Sequence, residues 1–590
     1  MTSVDDLFKK SGIPSKRKLE PVRDPSQVYK SAKLSSNGDS SRHARVEDEQ
    51  DDDVEAGPAP PPGDGDDGDY GPDLPPDDED GRFFGTGMTK QQTEIMDFVD
   101  AREDDGAAPP PDKIDAAWMR KTALSFEKTI SKNAELRARF EREPQKFIAS
   151  EADLDTAIKE LSILSDHTDL WAEFVRVGSV GSLVGLLAHE NTDIAIAAVE
   201  IIGELTDEDV AAEDDQWNPL VDAMLDADLL GLIVSNLNRL DETDETDRAG
   251  VYHALSVIEN ILSRKSIAEK VGQDEVLLRW LLARAQRKES PISQNKQYAA
   301  ELLAIIAQTS PTTRRTLASL DAVDAALQLV ASYRKRDPEK GGEEEEYMQD
   351  LFEVLTSLAD EPEGKAKFVE AEGIELCLIM LKEGKMSKPA ALRLLDHAAG
   401  APGGADVCAR IVEAGGLKTT FTMFMRKPDG AALEHLLGLF ASLLRLLPAE
   451  SAGRIRTLAK FVEKDYEKTA RLVALRREYA ARVGVVEARI AEERAAADDD
   501  EERAAMADEW FSQRLEAGLF SLQTIDVVLA WLVAEDSGAR RRVLALLGER
   551  DEDLGVVRAS LTEQLEGLDG DREDTKDARD MLTALLDCLR

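Results

Sequence analysis

Carboxylates are the residues with which this chain could do chemistry. Glu200 and Glu204 stand four residues apart in "LLAHENTDIAIAAVEIIGELTDED", outside the apolar set Ile194, Ala198, Ile201, Ile202 and Leu205, so one helical face carries both. Paired carboxylates serve acid–base catalysis or the capture of cations. With 118 Asp and Glu against 73 Lys and Arg, two neighbouring acids carry no catalytic signal by themselves. The other constellations that do chemistry are missing from the sequence. The histidines, His43, His167, His189, His253, His397 and His435, never fall four apart, so there is no HExxH zinc pair. His397, inside "ALRLLDHAAG", reads as a packing residue. There is no Walker A loop, no GxSxG elbow and no GxGxxG after a strand. Asp64, Asp66 and Asp69 imitate part of a calcium loop, but Pro75 stands where a bidentate Glu is needed. Cys377, Cys408 and Cys588 form no CxxC pair, which implies a reducing compartment and no zinc site. No cofactor or metal is implied, and no enzyme is expected.

A second chemical feature is basic. Lys16, Arg17 and Lys18 follow Pro14 in "PSKRKLEP", with Lys9 and Lys10 nearby. They read as a nuclear-import signal or as a solvated basic tail. The setting is accessible chain. Residues 1–115 are expected to be a disordered tail, basic and then acidic, because Glu47 to Asp80 holds sixteen acids and no Lys or Arg among its prolines and glycines. Such a segment cannot bury enough apolar surface to offset its ordering entropy. "MTKQQTEIMDFVDARE" is a short amphipathic island within that tail. The net charge of −45 argues against direct binding of nucleic acid. No apolar run reaches membrane-span length and no apolar signal core opens the chain, so a soluble intracellular protein is expected.

The elements that must position the acids are helices. Aromatics make up only 5% of the chain, while Leu, Ala, Glu, Asp and Arg dominate. Helical periodicity starts near Ala116, and residues 116–165 read as N-terminal capping helices. Residues 166–447 repeat a unit of a shorter apolar helix, a polar turn and a longer apolar helix. The shorter helices include "VGSVGSLVGLLAHE", "DADLLGLIVSNLNRL" and "AEGIELCLIMLKEG". The longer ones include "IAIAAVEIIGELT", "AGVYHALSVIENIL" and "LEHLLGLFASLLRLL". Turn positions Gly178, Ala227, Gly272, Asp321, Gly373 and Gly415 recur about every 42 to 52 residues, the armadillo/HEAT period. The fold class expected is therefore all-α, an armadillo/HEAT-like right-handed solenoid with a helical C-terminal cap. In that cap, residues 448–590, "RIRTLAKFVEKDYEKTARLVALRREYAARVGVVEARIAEERAAADDDEERAAM" reads as one long helix packed against its own chain. Asp498 to Glu502 reads as a loop.

In many armadillo arrays the longer helix lines a concave groove, where importin-type receptors carry a Trp and, four residues later, an Asn. That pattern maps here onto Glu200 and Glu204, Ser256 and Asn260, Glu301 and Ile305, Glu353 and Ser357, and then Arg393 and His397. Only Asn260 fits the Trp/Asn ladder. The recurring carboxylates would instead receive a Lys/Arg-rich segment, so the expected partner groove is Glu200, Glu204, Glu259, Asn260, Glu301 and Glu353. The alternative is that these acids form only a solvated face.

"KFIASEADLDTAIKELSILS", "GLLAHENTDIAIAAVEIIGELTDED", "ALRLLDHA" and "SQRLEAGLFSLQTI" resemble the beta-catenin-like protein 1 family, from about Trp118 to the C-terminus. The resemblance implies a nuclear armadillo protein of the spliceosome, associated with the Prp19-type complex. It further implies binding to basic, import-signal-like segments of splicing partners, among them the Cdc5-like Myb-domain splicing factor. An N-terminal import signal is typical of that family, which favours the signal reading of Lys16, Arg17 and Lys18 and a nuclear localisation. Near-absence of the Trp/Asn ladder departs from importin-like binding. Two functions are thus in view: a non-catalytic splicing scaffold, or a nuclear transport adaptor for basic clients. A homodimer stays open.

Overall fold

The computed structural model describes residues 113–496, 500–568 and 575–590. The expected tail, the amphipathic island and Lys16, Arg17 and Lys18 lie outside the described residues. Among the described residues the chain is helical throughout, with no strand. No single helix among them is long and apolar enough to cross a membrane.

Helices α1 (Ala116–Arg139) and α2 (Ile148–Lys159) open the array. Helix α1 starts where the Asp115 carboxylate accepts from the backbone N–H groups of Ala117 and Trp118. Six triplets follow. The first is α3 (Trp171–Arg176), α4 (Ser179–Gly185) and α5 (Thr192–Thr206), and the second is α6 (Asp214–Asp226), α7 (Leu229–Arg239) and α8 (Glu245–Leu262). The third is α9 (Lys265–Val271), α10 (Glu275–Gln286) and α11 (Gln294–Thr309), and the fourth α12 (Pro311–Ser319), α13 (Ala322–Val330) and α14 (Glu343–Leu358). The fifth is α15 (Pro362–Glu370), α16 (Gly373–Glu383) and α17 (Ser387–Ala399), and the sixth α18 (Ala405–Glu413), α19 (Gly416–Met425) and α20 (Gly430–Leu446). Each repeat therefore has three helices, not the pair expected from the sequence. The extra first helix is only six to thirteen residues long, too short for periodicity to announce it. Local signals mark some of these starts: Pro311 and Pro362 each occupy the first helical turn, behind Ser310 and Glu361.

The turn between first and second helices explains the recurring landmark. Five of the six turns hold a residue in the left-handed region: Gly178, Asp228, Asp321, Glu372 and Gly415, with φ between 57° and 82°. Gly272 alone stays right-handed. Gly178 and Gly415 adopt this conformation without cost, whereas Asp and Glu there carry strain.

Successive third helices pack side by side from α2 through α5, α8, α11, α14, α17 and α20, and their apolar sides merge into one core along the array. A recurring polar lock ties the end of a second helix to the next repeat. The Asn236 amide donates to the Leu187 carbonyl at 2.8 Å, the Trp280 indole to Leu237 at 3.1 Å, the Tyr347 hydroxyl to Ala285 at 2.7 Å, and the Ser387 hydroxyl to Tyr333 at 2.9 Å. Each acceptor lies at the C-terminal end of one repeat's second helix, where carbonyls lack an intrahelical donor. Each donor comes from the next repeat.

After α20 come α21 (Ala452–Ala496), α22 (Asp500–Glu516), α23 (Leu519–Glu535), α24 (Ser537–Gly548), α25 (Gly555–Gly567) and α26 (Lys576–Cys588). Helix α21 is not continuous: Glu463 to Tyr466 leave helical geometry, with φ near +55° to +60° at Lys464, Asp465 and Tyr466. Around the break Glu463 receives Lys460 and Lys468, and the Thr469 hydroxyl donates to the Phe461 carbonyl at 3.1 Å. Phe461 itself stands in a ring cluster with Phe421 and Phe440. Helix α22 begins at Asp500, inside the acidic run read as loop; with acids at an N-terminus the dipole favours helix. Helix α23 packs on α20 and extends the third-helix row. Buried arginines fasten this region. Arg454 pairs with Glu535 and donates to the Leu443 carbonyl, and Arg476 reaches Asp526 at 2.7 Å and the Val556 carbonyl at 3.0 Å.

Substituting Gly415→Ala should lower stability by about 1–2 kcal/mol in urea denaturation, while Glu372→Gly at the equivalent turn leaves it unchanged or raises it. Arg476→Ala strands the fully buried Asp526 carboxylate. A loss of roughly 3–5 kcal/mol is expected, read as an early unfolding step for the C-terminal helices.

Candidate functional site: the third-helix row

Neighbouring third helices meet through an apolar side and a polar edge. Their sequences dictate this: α5 buries Ile194, Ala198, Ile201, Ile202 and Leu205, which leaves Glu200 half-exposed and Glu204 exposed. The polar edge bridges each junction from α5 to α20. Between α5 and α8, Glu200 lies 3.2 Å from His253, and the Asn260 amide donates to the Gly203 carbonyl and the Thr206 hydroxyl. Between α8 and α11, the Tyr298 hydroxyl donates to Glu259. Between α11 and α14, the Gln297 amide donates to Glu301 and to Asp350, each at 3.1 Å. Between α14 and α17, Arg393 donates to Glu353 at 2.5 Å, and His397 lies 3.1 Å from Asp360. Between α17 and α20, His435 lies 3.0 Å from Asp396.

All six expected groove residues thus stand on three-helix repeats 1 to 4 along one row, but not as a free acidic face. Five of them engage a neighbour across or along the row, and Asn260 is committed to helix–helix contact, not to presenting an amide outward. Sequence mapping missed Asp350, Asp360 and Asp396, and the bases His253, opposite Glu200, and His435, opposite Asp396. Asp350 sits beside Leu351 and Phe352, but its helix also carries Glu343 to Glu346 and Glu353, so no sequence signal singles it out.

Asp350 is the most perturbed group of the row. Burial, together with the charges of Glu301, Glu346 and Glu353, pushes its carboxyl up to about 8, against the pull of the Gln297 hydrogen bond. Glu200 is held below its ordinary value by the His253 hydrogen bond. His397 is pulled down by burial, but the hydrogen bond and charge of Asp360, with Asp396 beyond, outweigh this and hold it above the ordinary imidazole value. Among the described residues no group of three His, Cys, Asp or Glu side chains is placed to hold a metal ion. The row can bind cations and exchange protons with its surroundings.

The three-helix repeat with a continuous third-helix row defines an armadillo-repeat protein. The sequence pattern of the family described as "Catenin-beta-like, Arm-motif containing nuclear" matches residues 93–562. The chain belongs to this family, which is described as nuclear. It is 37% identical over 493 residues to the Beta-catenin-like protein 1 homolog of Schizosaccharomyces pombe, covering 83% of this chain and 85% of that one. It is 36% identical over 473 residues to Beta-catenin-like protein 1 of Homo sapiens, covering 77% and 82%. Among solved structures, an engineered protein aligns at 16% identity with a TM-score of 0.45, over 74% of this chain and 95% of that one.

Because Asp350 keeps its proton in the folded state far above its ordinary value of 3.8, the folded chain binds a proton that the unfolded chain releases. Its effect is to make stability fall as pH rises from about 4 to about 8. Asp350→Asn should remove that slope and raise stability at neutral pH by roughly 1–3 kcal/mol, measured by urea denaturation at acidic and neutral pH.

Proposed function

We propose that this protein is a non-catalytic nuclear scaffold of the pre-mRNA splicing machinery that holds Lys/Arg-rich segments of splicing partners against its third-helix row. One observation carries the reading: Glu200, Glu204, Glu259, Glu301 and Glu353 recur on successive third helices of the row, with Asp350 and Glu346 beside them. A row of this kind attracts cationic chain over a long range and receives guanidinium and ammonium groups by charge-assisted hydrogen bonds. The family's nuclear description supports the compartment, and the resemblance to the beta-catenin-like protein 1 family supports the Prp19-type complex and the Cdc5-like Myb-domain splicing factor as a partner. With a net charge of −45, direct binding of nucleic acid is not part of the proposal. Neither is a membrane. Lys16, Arg17 and Lys18 serve in this reading as the import signal.

Charge reversal at Glu200→Lys with Glu301→Lys should weaken binding to the basic segment of the Cdc5-like partner by about tenfold, with thermal midpoint measured alongside to exclude unfolding. Wild-type affinity should fall steeply with salt, since exposed charges are screened over about 8 Å at physiological ionic strength. Unchanged binding in the double variant would reject the groove. Affinity purification from nuclei separates scaffold from transport adaptor: splicing factors support the former, importins with mixed cargo the latter.

A further inference from the structure

The acids of the row differ in their partners. In its first part Glu200 meets His253, Glu204 is exposed, and Glu259, Glu301 and Asp350 accept from a tyrosine hydroxyl and a glutamine amide. In its last part the acids meet bases. Glu353 carries Arg393, whose charge is fixed, but Asp360 carries His397 and Asp396 carries His435, and these rings stand 6.5 Å apart on adjacent helices. Asp360 faces His397 from the end of α14, Asp396 and Arg393 flank it on α17, Lys365 of α15 donates to the His397 and Gly400 carbonyls beneath it, and Glu434 flanks His435 on α20. The His397–Asp360 pair is open to solvent, with 39% and 48% of the two side chains exposed, whereas His435 and Asp396 are more enclosed at 23% and 21%. A proton and a competing cation can both reach the His397–Asp360 pair.

We propose that His397 forms a proton-operated latch on the row, beside the His435–Asp396 pair. As imidazolium it occupies Asp360 and closes the stretch from α14 to α17 to a Lys/Arg-rich segment; as a neutral ring it releases that carboxylate to it. The proposal rests on the reading of the row as a groove for basic segments, and it names the condition under which the groove lengthens. Histidine suits the task because its charge changes near neutral pH while Lys and Arg of the partner stay charged. The sign follows: Asp360 holds the His397 proton past the ordinary imidazole value, so the latch is closed in mildly acidic solution and opens as pH rises through neutrality. A bound cation beside Asp360 in turn drives the proton off His397, so binding and deprotonation are reciprocal.

The test uses the full chain and a fluorescent peptide of Lys and Arg residues with Gly spacers, followed by anisotropy. Affinity of the wild type should rise about fivefold between about pH 6 and about pH 7.5. His397→Gln should lose most of that rise and bind at the lower pH nearly as the wild type does at the higher one. Asp350 titrates in the same direction and keeps its own share, so the variant and not the wild-type slope alone decides. If peptide binds and the variant keeps the full wild-type pH dependence, the latch is wrong and the groove stands. If the peptide fails to bind at either pH, the groove reading falls and the latch with it. Site-selective NMR of the histidine rings gives a second readout: saturating peptide should lower the His397 titration midpoint, and an unmoved midpoint overturns the latch.

Discussion

The carbonyls left without donors at the end of each second helix are what the array depends on. They lie where repeats stack, away from water, and an unsatisfied buried carbonyl costs as much as a lost hydrogen bond. Here Leu187, Leu237, Ala285 and Tyr333 are each satisfied by a side chain of the following repeat. The donors differ, an amide, an indole, a phenol and an alcohol, and only the receiving position recurs. The same solution appears with charge at two other places. Lys365 covers the last carbonyls of α17, and Arg477 covers those of Leu546 and Leu547 at the end of α24. A repeat removed from this stack would lose its neighbour's donor as well as its apolar contacts. Stability is therefore held between repeats more than within them.

The third-helix row puts the same carboxylates to two uses. Glu200, Glu353, Asp360 and Asp396 bridge adjacent helices, and they also set the sign of the surface. On the proposed function, a cation arriving from outside competes with the internal base instead of meeting a bare charge, which would favour a segment that matches several positions at once. Asp350 shows the limit of crowding acids: surrounded by Glu301, Glu346 and Glu353, it keeps its proton up to about 8. Adding more carboxylates there would add protons more readily than charge.

Much of the fold was legible because apolar spacing is a strong signal in long helices. The longer helices from "IAIAAVEIIGELT" to "LEHLLGLFASLLRLL" are the third helices α5 to α20, and the recurring Gly178 and Gly415 mark backbone that turns left-handed. The short first helices were not legible, since six to thirteen residues with few apolar positions look like loop. Helix α21 was misread as continuous for the opposite reason: "FVEKDYEKTA" has neither Gly nor Pro, and only the packing of Phe461 and the Lys468 ion pairs break it. For the site, periodicity indicated which acids share a side, and Glu200, Glu301 and Glu353 do lie along one row. It could not show which base would stand opposite each acid, because His253, Arg393 and His435 come from a different repeat about 40 to 53 residues away. Depth of burial at Asp350 depends likewise on how two helices approach, which one strand of sequence does not encode locally.

The break in α21 has a meaning beyond local geometry. A stack of identical units has no natural last member, and its terminal face is as adhesive as every internal one. By folding back at Lys464 to Tyr466, the chain lays α23 over α20 and seals the ring cluster of Phe421, Phe440 and Phe461 beneath its own helices. The bend is a terminator: it lays the chain's own helices on the sixth repeat, in the place where a further repeat would stack.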